Sequence, residues 1–117
     1  MSELRITPEE VLAAYEKTGI VPKCGIWWEK RYGSEELCGC PLTVLFFVAH
    51  PDEKPQEFPK TNRIWGWAEQ TYGEPYYRAF FNHVDGFASV TESLRAEQGK
   101  EDGQAVRRAC KAKFLTF

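Results

Sequence analysis

Residues 76–88 carry the pattern that most restricts this chain. Tyr76, Tyr77, Phe80, Phe81, Val84, Phe87 and Ala88 recur at the three- and four-residue spacing of a helix. A strand would send alternate side chains to opposite faces and cannot produce this stripe. Pro75 suits the first turn of that helix, and Gly73 stops the helix before it. Residues 61–88 therefore read as two helices joined by a tight turn. The earlier one starts from a cap at Thr61 or Asn62 and runs to Tyr72, with Ile64, Trp65, Ala68 and Tyr72 on one face. Asp85-Gly86 marks the frayed end of the later one.

The N-terminal helix is equally well signposted. Thr7 and Glu10 form a capping box, Pro8 occupies the first helical position, and Gly19 ends the helix. Ile6 and Val11 stand at the two positions that clamp the incoming chain. Val11, Leu12 and Tyr15 make its apolar face.

Between these regions Pro22, Gly25, Gly33 and Gly39 forbid a long helix. The aromatic, β-prone stretch Gly25 to Lys30, a turn at Tyr32-Gly33-Ser34 and a second strand near Leu37-Cys38 predict a β-hairpin. Two strands alone are marginal, so this hairpin must lie on helices. The apolar run from Leu42 to Ala49, bracketed by Pro41 and Pro51, fits either a buried strand or a buried helix. Pro41 favours a central helix. Residues 51–60, with three prolines and several charges, read as a surface loop. At the C-terminal end, Ser89 and Glu92 predict a short capped helix to about Gln98. A polar link follows over residues 100–103, and then a last amphipathic helix carrying Ala105, Val106, Ala109, Cys110 and Phe114. The expected fold is one mainly α (α+β) domain over residues 1–117, with a small β-hairpin after the first helix.

Composition narrows the function classes. In 117 residues the chain is 43% hydrophobic, 27% charged and 15% aromatic, enough apolar mass for one core. The net charge of −2 provides no general attraction for nucleic acid. No apolar run approaches the roughly 20 residues that span a bilayer, and the polar start is unlike a signal peptide. A cytoplasmic chain is expected, and with it free thiols at Cys24, Cys38, Cys40 and Cys110. Charge is uneven: residues 104–117 hold Arg107, Arg108, Lys111 and Lys113 with no acid, leaving 11 basic and 17 acidic side chains in the rest. Cations near a helix C-terminus favour its dipole, and four charges make only a weak nucleic-acid site.

Several runs together resemble a loosely defined group of small uncharacterised bacterial and phage-type proteins. These are Ala13 to Gly19, Gly39-Cys40-Pro41-Leu42, Trp67-Ala68-Glu69, Phe80 to Phe87 and Gly103 to Arg107. In the look-alikes Cys-Pro-Leu continues with Gly and Ala as a helix, where this chain has Thr43-Val44. The resemblance implies a fold and no established activity.

Three side-chain groups invite chemistry. Cys24, Cys38 and Cys40, with His83 or Cys110 as a fourth ligand, are an alternative zinc site, although the paired Cys-x2-Cys spacing is missing. Cys40 at a helix N-terminus, with His83 as base, is an alternative reactive thiol. The ordinary expectation is that the thiols pack as small hydrophobes and that His83 borders the core, hydrogen-bonded to backbone. No cofactor and no catalytic residue are favoured. The third group is aromatic. Trp27 and Trp28 must face opposite ways in a strand, and Trp65 and Trp67 lie about 200° apart on a helix. One Trp of each pair should approach the surface. Trp28 and Trp67, with Arg31 and Tyr32, are the expected contact surface of a non-enzymatic binding or regulatory module. Its partner would be another protein or a second copy in a homodimer, with no membrane and no nucleic acid involved.

Overall fold

Capping chemistry sets the first helix, α1 (Pro8–Thr18), as the sequence predicts. The Thr7 hydroxyl accepts from the Glu10 N–H at 3.2 Å, and Gly19 closes the helix in the left-handed region at φ 71°. Ile6 and Val11 are both buried, as clamp residues should be. The computed structural model describes residues 4–22, 28–30, 37–53, 61–87, 92–114 and 117; of residues 28–30, 37 and 61–62 it describes the backbone.

Three short strands follow: β1 (Val21–Pro22), β2 (Trp28–Lys30) and β3 (Leu37–Gly39), in the order β1-β3-β2. The antiparallel β2–β3 pair is the expected hairpin, in register Trp28↔Gly39, Glu29↔Cys38 and Lys30↔Leu37. Its expected turn at residues 32–34 lies outside the described residues. The parallel β1–β3 pair was not expected, and Pro22, which has no N–H to donate, sits on that edge. The Tyr15 hydroxyl donates to the Gly39 carbonyl at 2.8 Å and ties the sheet to α1.

The run bracketed by prolines is a helix, α2 (Pro41–Ala49), with Cys40 at its N-cap and seven consecutive buried residues from Pro41 to Phe47. A helix apolar on all sides belongs at the centre, and α2 packs against both α1 and α3 (Thr61–Tyr72). Gly73, at φ 88°, then turns the chain into α4 (Glu74–Val84).

The C-terminal third departs from expectation. In place of two short helices and a polar link there is one 20-residue helix, α5 (Leu94–Lys113). Its N-cap is Ser93, whose hydroxyl accepts from the Ala96 N–H at 3.1 Å; Ser89 lies outside the described residues. Gly99 and Gly103, which look like breaks, are buried inside α5. A Cβ on Gly99 would be driven into the Tyr76 carbonyl oxygen, and one on Gly103 would stand 2.6 Å from the Phe80 carbonyl oxygen. One turn further on, Arg107 donates to the Val84 carbonyl at 2.9 Å. Pairing 76 with 99, 80 with 103 and 84 with 107 makes α4 and α5 a parallel pair. Their backbones approach through a seam of small residues: Ala79 on α4, and Ala96, Gly99 and Gly103 on α5.

A polar network pins the N-terminal segment across this pair. Tyr76 donates to Asp102 at 2.5 Å and accepts from the Ile6 N–H at 2.6 Å. Arg5 grips both oxygens of Asp102 at 2.9 Å. Arg95 stacks 4.3 Å from the centre of the Tyr76 ring and donates to the Leu4 and Tyr72 carbonyls. One core joins Ile6, Val11, Tyr15, Phe46, Ile64, Tyr76, Phe80 and Val106, among others. The radius of gyration of 13.3 Å is that of a compact domain of this length, about 13 Å.

Candidate functional site

The tryptophans of α3 sort opposite to the expectation drawn from sequence. Ile64, Ala68 and Tyr72 are buried, and Trp67 lies on their side, edge-on to Phe46 at 5.9 Å and to Tyr72 at 5.7 Å. Trp65, about 200° from Trp67, is therefore the outward one and is 43% exposed. Trp67 is not the surface member of the pair. Arg31 and Tyr32 lie outside the described residues, as does the Trp28 side chain. Phe87 also leaves the expected stripe: α4 ends at Val84, Gly86 turns the chain at φ 87°, and Phe87 is 64% exposed. The last expected member, Ala88, lies outside the described residues.

Trp65 stands over α4 and forms one wall of a cleft of about 300 Å³ lined also by Tyr77, Arg78, Phe81 and Asn82. Arg78 spans it. The guanidinium lies 5.6 Å from the centre of the Trp65 ring and 5.9 Å from that of Tyr77, while Nε holds Glu74 at 3.0 Å one helical turn back. A planar cation on two aromatic faces is a favourable and geometrically definite arrangement. Beneath it Tyr77 is buried, and burial raises the pKa of its phenol. Its hydroxyl has no hydrogen-bond partner among the described residues. Phe81 and Asn82 are half-buried. Beyond Arg78 and Asn82 the surface continues into a second, larger cleft of about 620 Å³ with Pro75, Glu92 and Ser93. The arrangement offers flat apolar walls, one cation and one amide, which is the chemistry of contact.

The cysteine and histidine candidates fall elsewhere. Cys38, Cys40 and Cys110 are free thiols and buried, and Cys24 lies outside the described residues. Cys40 does stand at the start of α2, the place of the alternative reactive thiol, but the helix dipole does not activate it. Complete burial pushes the thiol up to about 11, against a hydrogen bond with the Thr43 hydroxyl at 3.4 Å. Among the described residues no three His, Cys, Asp or Glu side chains gather as metal ligands. His83 lies in the α4–α5 seam, 9% exposed, and its Nε2 has no partner among the described residues. The basic C-terminal group is divided in use: Arg107 caps the end of α4, while Arg108, Lys111 and Lys113 face solvent. No described helix is long and apolar enough to cross a membrane.

The chain matches no protein-family model, no curated protein and no solved structure.

The buried thiols set one expectation. Cys38→Ala and Cys40→Ala should each cost about 1–2 kcal/mol, as small buried truncations do, and EDTA at neutral pH should leave the melting curve in place. Unfolding by the chelator alone would overturn the reading of these thiols as small hydrophobes and point to a structural metal.

Proposed function

We propose that this protein is a non-enzymatic binding or regulatory module whose contact surface centres on Trp65. The observation that carries the reading is the exposed Trp65 ring beside an open cleft, with Arg78 stacked across it and anchored by Glu74. Tryptophan, tyrosine and arginine dominate the energetics of protein interfaces because they bury large rigid surfaces and still make directed polar contacts. Trp65 and Arg78 are already oriented, so association orders few further rotamers. A second copy of the chain is the first partner, since symmetric homo-oligomers are the commonest soluble assemblies.

Sedimentation equilibrium of the wild type beside Trp65→Ser and Arg78→Ala tests this. A wild-type dimer that dissociates in Trp65→Ser, with helicity retained, is the expected result. A peptide library selected on the wild type and counter-screened on Trp65→Ser covers other protein partners. A monomeric wild type that selects no Trp65-dependent peptide would overturn the proposal.

A further inference from the structure

His83 occupies an unusual position for an ionisable side chain. It projects from the last turn of α4 against α5, where a Cβ on Gly103 would come within 3.2 Å of its own Cβ. His83 as a whole is 9% exposed in a seam that tolerates no bulk, and its Nε2 is buried without a hydrogen-bond partner among the described residues. The charges that act on the ring are Lys100 and Glu97 on α5, with Arg107 one turn beyond Gly103 on α5 and Asp85 two residues along its own chain. Arg107 is engaged at the Val84 carbonyl. The third helix, α3, packs on the other side of α4, where Trp65 lines the cleft with Tyr77 and Phe81.

We propose that His83 is an acid-sensitive latch between α4 and α5: the neutral imidazole lets the parallel helices close, and a proton on the ring loosens α5. The neutral ring can leave Nε2 unpaired at moderate cost. The imidazolium must donate from both nitrogens and must carry its charge in a desolvated seam. Burial is the main cause that holds the His83 pKa below its usual value; the Lys100 cation adds to it and the Glu97 carboxylate opposes it. The unfolded chain therefore binds more protons than the folded one below about pH 6.5, and stability falls as the pH falls through that window. The expected signature is a folding constant that drops up to tenfold per pH unit below about 6.5, on top of the contribution of the carboxylates. No such loss is expected above that range.

The seam makes the effect local. Hydrogen exchange on the full chain at pH 7.5 and 5.0, expressed as protection factors, should show protection lost first in α4 and α5 and kept in α1 and α2. Denaturation of the wild type and His83→Gln over the same range should give diverging curves, with the glutamine variant flatter. Lys100→Gln provides a second arm if His83→Gln folds poorly, since removing the repelling cation should shrink the acid-linked loss. Superimposable curves for wild type and His83→Gln, or an unchanged loss in Lys100→Gln, would overturn the latch. So would a uniform loss of protection in all helices, or a His83 ring that titrates at or above pH 6.5 by NMR.

Discussion

Gly99→Ala is expected to destabilise the protein by at least about 3 kcal/mol, although alanine is the better helix former by nearly 1 kcal/mol. The new methyl group would meet the Tyr76 carbonyl oxygen with no flexible side chain to yield, so α4 and α5 must separate. Separation withdraws contact along the whole seam, including Ala79, Ala96 and the fully buried Val106. It also stretches the short hydrogen bond between Tyr76 and Asp102. Overpacking usually costs 1–3 kcal/mol, and a backbone obstacle places this case at or above the upper end. Gly103→Ala should behave similarly, with its Cβ 2.6 Å from the Phe80 carbonyl oxygen. The double variant should cost less than the sum, because one separation relieves both clashes. Urea denaturation measures all three. A gain of about 1 kcal/mol in Gly99→Ala would mean that α5 does not meet α4 through its glycines.

The second large effect separates two neighbouring phenylalanines. Phe80 is fully buried and stacks at 6.3 Å on Tyr76, so Phe80→Ala should cost about 3–5 kcal/mol. Phe81 has the same spacing credentials in the stripe, and sequence alone predicts a similar loss there. The structure corrects this, since Phe81 is half-buried at the Trp65 cleft, and Phe81→Ala should cost less than about 2 kcal/mol. Its effect should instead fall on binding through the cleft. Equal losses at the two positions would mean that the Trp65 cleft is closed in solution.

Much of the architecture was legible because local chemistry and long-range packing agree. Thr7, Pro8 and Gly19 bound α1 through backbone groups within a few residues, so no distant contact was needed to place it. The stripe of α4 and the proline at the head of α2 work in the same way. Some local signals have two structural meanings. Gly99 and Gly103 break an isolated helix, yet they also permit the closest approach of two helices, and only the presence of α4 alongside selects the second meaning. Helix geometry alone sends Trp65 and Trp67 opposite ways. Which of them meets Phe46 depends on the rotation of α3 about its axis, a property of the packed assembly. Cys40 shows the same division: its place at a helix N-terminus is written in the sequence, but the burial that raises its pKa comes from α2 lying at the centre.

Caps, prolines and hydrophobic period act within a few residues, and they set the helical class, most helix boundaries and the presence of a hairpin. The tertiary structure alone decided the parallel α4–α5 seam, the exposed tryptophan and the confinement of His83. Each of these depends on a neighbour distant in the chain, and desolvation and close contact exist only once that neighbour is in place.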